Sequence, residues 1–205
     1  MKSYPSIPGP AAAPFGRPCV AFLKYDGSNL RWEWTRKRGF CKCGSRTRLF
    51  DASDAQFGEA VRVFQESYAG PMEKALSDDF PGVETATFFT EFFGPSSFAG
   101  THKEGEAKEL RLFDVQIHRK GILGPKEFVR RFGGLPFAAE IVYEGNFNKD
   151  FVARVRAGEF GPPGCEGVVA KGGDGHSLWM AKAKSESYLA KLREVFQGRW
   201  IEFAE

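Results

Sequence analysis

An apolar run ends on Lys24 and passes through Tyr25-Asp26-Gly27-Ser28-Asn29 into a turn. Strand alternation sets Lys24 and Asp26 on one side of the chain, away from Leu23 and Tyr25. A lysine there can point its amine into a cleft while glycine lets the backbone approach a ligand. The same residues would equally suit a solvated hairpin. Cys165-Glu166-Gly167-Val168-Val169-Ala170-Lys171 is an apolar strand with a carboxylate at its start, able to face a metal or simply to mark a charged sheet edge. Lys182 and Lys184, two apart in Trp179-Met180-Ala181-Lys182-Ala183-Lys184-Ser185, project from one strand face. Two ammonium groups so placed repel unless an anion lies between them, and phosphate is a natural partner. Glu91, flanked by Phe92 and Phe93, needs a hydrogen-bond partner if buried, and a ribose hydroxyl would serve. Phe113 in Leu112-Phe113-Asp114-Val115 is either core or a platform for a purine.

A dense basic stretch follows the first lysine. Arg31, Arg36, Lys37, Arg38, Lys42, Arg46 and Arg48 are opposed only by Glu33, with Trp32, Trp34 and Phe40 interleaved. Basic residues alternating with aromatics suit a groove that tracks a nucleic-acid backbone. The alternative is a solvated hairpin tip whose tryptophans face the core.

The elements that must position these residues are mostly strands. Residues 1–18 are rich in Pro, Gly and Ala and read as an extended arm, and residues 19–205 as one domain. Leu30, Trp32 and Trp34 alternate with polar residues as in a half-buried strand, and Gly44 reads as a break before 46–50. Further strands are predicted at 83–93, 110–118, 137–143, 165–171 and 178–184. Ser53 and Gln56 have capping-box spacing, which predicts a helix carrying Phe57, Ala60, Val61, Phe64 and Tyr68 on one face. Other helices are predicted at 125–132, 149–156 and 186–196, and 94–109 reads as a loop. Strands joined by short turns with helices outside predict an α+β domain of antiparallel sheets.

Composition narrows the class. With 205 residues, 42% hydrophobic and 27% charged, the chain can bury a sizeable core. A formal charge of +3 is too small to imply nucleic acid unless it is clustered, as it is after Lys24. Cys19, Cys41, Cys43 and Cys165 form no CxxC pair, no signal peptide precedes them, and no stretch suits a membrane span. These features predict a soluble protein of a reducing, cytoplasmic compartment. Zinc at Cys41 and Cys43 lacks partners, since His102, His118 and His176 are scattered.

Taken in order, these segments resemble the motifs of the covalent nucleotidyltransferases, the superfamily of DNA ligases, RNA ligases and mRNA capping enzymes. KYDGSN is similar to motif I, EFFG to motif III, FDV to the intermediate motif, EGVVAK to motif IV and KAK to motif V. They span residues 24–184. Asn29, the Arg46-Thr47 pair and FDV resemble the RNA ligase 2-like group in particular. The resemblance implies the nucleotidyltransferase fold, ATP as cosubstrate with Mg²⁺ or Mn²⁺, and a lysine–AMP intermediate on Lys24. AMP would then pass to an RNA 5′-phosphate, and an adjacent 3′-hydroxyl would displace it. It implies a metal role for Glu166 and nucleotide contacts for Asn29, Arg46, Glu91, Phe113, Lys182 and Lys184. RNA would follow Arg36, Lys37, Arg38, Lys42 and Arg48. Lysine is protonated at neutral pH, so Lys182, Lys184 and a cation are expected to favour the neutral Lys24 amine by repulsion. Only one helix is expected beyond Lys184, leaving no OB-fold or other C-terminal domain. The rival readings are a minimal DNA ligase, a GTP-using capping enzyme and a catalytically idle RNA-binding module.

Overall fold

A computed structural model describes residues 2–94 and 107–204. In chain order the strands are β1 (Pro18–Lys24), β2 (Ser28–Thr35), β3 (Gly39–Ser45), β4 (Leu49–Phe50), β5 (Thr85–Phe93), β6 (Glu109–Ile117), β7 (Gly121–Ile122), β8 (Ile141–Asn146), β9 (Gly167–Gly172) and β10 (Trp179–Lys184). The helices are α1 (Gly58–Ser67), α2 (Ala69–Asp79), α3 (Pro125–Phe132), α4 (Lys149–Arg156), α5 (Glu186–Phe196) and α6 (Ile201–Ala204). The strands form a four-stranded sheet, ordered β10-β9-β1-β8, and a six-stranded sheet, ordered β4-β3-β2-β5-β6-β7. Every pairing of named strands is antiparallel. The expected α+β architecture is the one found.

Period-two alternation sorts each sheet into two faces. On the smaller sheet Cys19, Ala21, Val168, Ala170, Ala181 and Ala183 bury one face under Phe151, Val152 and Val155 of α4. These small residues let α4 lie close, and Asn148 caps that helix by accepting from the Phe151 amide at 2.7 Å. On the larger sheet Leu30, Trp32, Trp34, Phe88, Phe92, Leu110 and Leu112 face α1, α2 and α3. Trp32 stacks on Phe64 with ring centroids 3.9 Å apart, and the Trp32 indole donates to Thr90. The remaining faces of both sheets carry polar residues and meet across a cleft.

Several local expectations need correction. The residue pair Ser53/Gln56 does not open a helix: the Ser53 hydroxyl binds Asp51, Asp54 accepts from the Gln56 and Phe57 amides, and α1 starts at Gly58. Helix α2 follows at once, because Pro71 falls in its first turn, where a missing N–H costs nothing. Gly44 is no break. It lies buried within β3, where a Cβ would stand 2.8 Å from the Arg48 carbonyl. The strand predicted at 137–143 begins instead at Ile141. Residues 137–140 cross between sheets, with Phe137 O accepting from Leu112 N and Glu140 O from Leu23 N. The loop predicted at 94–109 lies mostly outside the described residues, as does His102.

Gly167 fixes the join between β9 and its neighbours. Its φ is +143°, and a Cβ there would lie 2.1 Å from the Ala183 carbonyl oxygen. Gly167→Ala should therefore destabilise the fold by about 2 kcal/mol or more, since both the backbone conformation and the space exclude a side chain. Chemical denaturation compared with wild type checks this.

Candidate active site

Strand register brings the predicted residues together. Gly167 pairs with Lys24 on one side and with Lys184 on the other. The next inward-facing row is Phe22–Val169–Lys182, and the next Val20–Lys171–Met180. Opposite them, the larger sheet presents the rows Asn29–Glu91–Arg111 and Arg31–Phe89–Asp114. Between the sheets lies a cavity of about 560 Å³, lined among others by Lys24, Asn29, Arg46, Glu91, Phe113, Glu166, Lys182 and Lys184.

A bulge sets the aromatic wall. Phe89 pairs with Asp114 and Thr90 with Leu112, so Phe113 is the extra residue on β6. A bulge turns two consecutive side chains toward one face. Phe113 and Asp114 thereby both reach the cleft side, which simple alternation denies them.

Glu166 is the electrostatic centre. Its side chain is 6% exposed and receives Lys24 Nζ at 2.6 Å on one oxygen and Lys184 Nζ at 3.2 Å on the other. Burial alone would lower the Lys24 pKa, but the charges of Glu166 and Glu91, the hydrogen bond to Glu166 and the charge of Asp26 together raise it. With Glu166 paired to it, the balance thus favours the charged form of Lys24, opposite in direction to the repulsion expected from Lys182 and Lys184. Lys182 and Lys184 do move down, Lys182 through burial and repulsion from Lys184 and Lys24, Lys184 through burial and repulsion from Lys24 against the pull of Glu166. Burial, with Glu166 and Asp26 nearby, raises the Glu91 carboxyl to about 8 despite Lys24. Near neutral pH it is largely a neutral acid, able to donate as well as accept.

Residues outside the predicted set hold this arrangement. Asp26 is buried and accepts from the Tyr188 hydroxyl at 2.9 Å, while the Lys184 ammonium lies 5.4 Å from the Tyr188 ring centroid. The Ser185 hydroxyl caps α5 and donates to the Cys165 carbonyl, and the Ser185 amide donates to the Glu166 carbonyl. Deeper in the cleft, Lys171 donates to Asp114 Oδ2 and to the Phe113 carbonyl, both at 2.7 Å. Burial pushes Asp114 up and Lys171 down. The Tyr4 hydroxyl also donates to Asp114. A Tyr in a Pro-rich arm and a Lys ending a strand carry no local mark of burial, so only their contacts with Asp114, across 110 and 57 residues, reveal them.

The basic stretch divides. Arg46 and Arg48 line the cavity. Arg36, Lys37 and Arg38 form the β2–β3 turn, roughly 23 Å along β2 from Ser28 at about 3.3 Å per residue. Arg36 is bound to the Val83 and Pro81 carbonyls and pairs with Glu84, and Lys42 pairs with Glu33 at 3.0 Å. Trp32 and Trp34 face the core.

This is the fold of an RNA ligase nucleotidyltransferase core. Its particular likenesses include a Naegleria gruberi RNA ligase variant with ATP and Mn, at TM-score 0.67 and 19% identity, covering 93% of this chain and 58% of that one. An archaeal ATP-dependent RNA ligase superposes at TM-score 0.68 and 18% identity, covering 97% and 52%. The Naegleria gruberi RNA ligase with PPi gives 0.65 at 18%, covering 95% and 58%. The chain thus spans little more than half the length of these ligases. No protein-family model matches it, and no curated protein is similar to it in sequence.

The raised Glu91 pKa has a signed consequence. An acid whose folded pKa exceeds its unfolded value binds more protons when folded. Stability is therefore lost as pH rises from the unfolded carboxyl range toward about 8. Glu91→Gln should remove that loss, so its melting temperature relative to wild type should climb between pH 5 and pH 8. A pH series of thermal unfolding curves checks the slope.

Proposed function

We propose that this protein is an ATP-dependent RNA ligase that carries AMP on Lys24, transfers it to an RNA 5′-phosphate and seals to a 3′-hydroxyl. The convergence of Lys24, Glu166, Lys182 and Lys184 on one cavity, from segments far apart in sequence, carries the reading. The fold is shared with ligases solved with ATP and Mn, AMP and Mn, or PPi.

In the first step the charged Lys24 amine gives one proton to solvent, its nitrogen bonds to the α-phosphorus of ATP, the bond from that phosphorus to the oxygen bridging to the β-phosphate breaks, pyrophosphate leaves and the nitrogen releases a second proton to solvent. AMP moves to the RNA 5′-phosphate oxygen with release of Lys24, and the 3′-hydroxyl then displaces AMP. Lys182 and Lys184 hold the phosphates, Arg46 and Asn29 the sugar, AMP phosphate or RNA end, Glu91 the ribose, and Phe113 the adenine. Positioning and electrostatics supply most of the acceleration in such transfers. RNA approaches past Arg46 and Arg48. The turn residues Arg36, Lys37 and Arg38, with Lys42, serve nucleotides remote from the joined end.

Among the described residues no group of three His, Cys, Asp or Glu side chains could hold a metal. Glu166 would hold an ion that has phosphate oxygens and water as its other ligands, the habit of Mg²⁺. Bound there, such an ion would supply positive charge beside the α-phosphate and the leaving pyrophosphate.

Lys24→Ala should abolish transfer of label from α-labelled ATP to the protein while leaving its unfolding transition in place. Glu166→Ala should slow the same transfer roughly 10²- to 10³-fold, the scale for losing one electrostatic group. Mass spectrometry of the AMP adduct after incubation with Mg²⁺ locates the modified residue, and a labelled Lys24→Ala protein would remove the nucleophile assignment. Guanylylation or sealing confined to DNA nicks would shift the reading to a capping enzyme or DNA ligase. RNA binding by wild type without any label would make it a binding module.

A further inference from the structure

The N-terminal arm is fastened at several points across the inner end of the cleft. Arg31 donates to the Ser3 hydroxyl at 2.7 Å, and that hydroxyl donates to the Arg46 carbonyl at 3.1 Å. Tyr4 is 5% exposed. Its hydroxyl reaches Asp114 and lies 3.1 Å from Met180 Sδ, and its ring lies 4.9 Å from Phe89 and 5.0 Å from Phe113. Pro8 O accepts from the Lys182 amide at 3.0 Å, so the arm runs along the free edge of β10. Between these anchors Ser6 and Ile7 line the same cavity as Phe113, Val169 and Lys24.

The cavity is chemically polarised. Lys24, Glu166 and Lys184 stand at one end, in the row through Gly167. Lys171 and Met180, beside Tyr4, belong to a row four residues further along the strands, roughly 13 Å away. Between these two rows lie Phe22 and Val169, level with Lys182, and Phe113 and the arm complete the lining on this side. A nucleotide whose phosphates meet Lys24 and Lys184 extends its base toward this apolar lining.

We propose that the arm is the base-specificity element of the cavity, with Tyr4 as a positioning residue that holds Ser6 and Ile7 against the edge of an adenine lying between Phe113 and Val169. This deepens the ligase reading and rests on it for the orientation of the nucleotide. The wall discriminates in two ways. The main chain of the tethered arm presents a fixed hydrogen-bond pattern, and a base that mismatches it leaves buried polar groups unpaired. Ile7 adds bulk that a larger base edge must displace. A loose arm would do neither, which explains why so short a segment is tied to both sheets.

Calorimetric titration of the whole chain with AMP and with GMP tests this, alongside labelling by α-labelled ATP and GTP. Wild type should prefer AMP. Tyr4→Ala and Ile7→Ala should each shrink the AMP-to-GMP affinity ratio by about fivefold or more, the scale of losing shape discrimination at one contact. Ile7 belongs to none of the buried clusters, so its variant keeps the test open if Tyr4→Ala unfolds. Equal weakening toward both nucleotides, an unchanged ratio, or a wild type indifferent to the base would overturn the inference. A wild type that binds AMP selectively through the arm but takes no label sinks the ligase reading and not this one. Labelled wild type with unchanged variant ratios does the reverse.

Discussion

Glu166 sits between Lys24 and Lys184, and the strand that follows it can pass between theirs only because residue 167 has no side chain. The Ala183 carbonyl occupies the space a Cβ would need, so β10 lies hard against β9 and brings its lysines level with Lys24. Three ammonium groups on one sheet face repel one another. That face is tolerable because Glu166 pairs with Lys24 and Lys184. The opposite face of the same strands is apolar and small, and it packs α4. One alternating pattern thus divides its strands between stability and charge.

A second ion pair joins the two sheets. Lys171 and Asp114 have side chains 2% and 1% exposed, with the Lys171 ammonium 4.9 Å from the Phe22 ring centroid and 5.6 Å from that of Phe113. Such pairs add little net stability over an apolar substitute, but breaking one partner strands the other charge. Its effect is to fix relative position. The bulge at Phe113, the Tyr4 contact and the β9 row all meet at Asp114, so a slip of either sheet would leave a buried charge unpaired.

Much of this was legible in the sequence where the signal is local. The helices 125–132, 149–156 and 186–196 carry their start signals and apolar faces in consecutive residues, and the structure has them at those bounds. The order of the lysine and glutamate segments was equally plain. The bulge was not, because nothing in Leu112-Phe113-Asp114-Val115 says that Thr90 pairs with Leu112 while Phe89 pairs with Asp114. Lys171 looked like a strand's charged end, since its burial depends on a carboxylate 57 residues away. The basic stretch read as continuous, yet β2 carries Arg36, Lys37 and Arg38 to the far turn, while β3 returns the chain so that Arg46 and Arg48 line the cavity. Charge density is a property of sequence, whereas direction is set by the strand.

The raised pKa of Lys24 connects the resting architecture to the proposed chemistry. Its charge is favoured by Glu166 and disfavoured by burial, with Lys182 and Lys184 close by. A carboxylate engaged by a nucleotide-borne cation would hold its lysines less strongly, and the opposing burial would then lower the Lys24 pKa. Under the proposed function, the Glu166 contact that holds Lys24 and Lys184 together would be the same one whose loosening frees the nucleophile. A site built on a permanently neutral lysine would gain reactivity but would give up the electrostatic tie between β1 and β9 that orders the cleft.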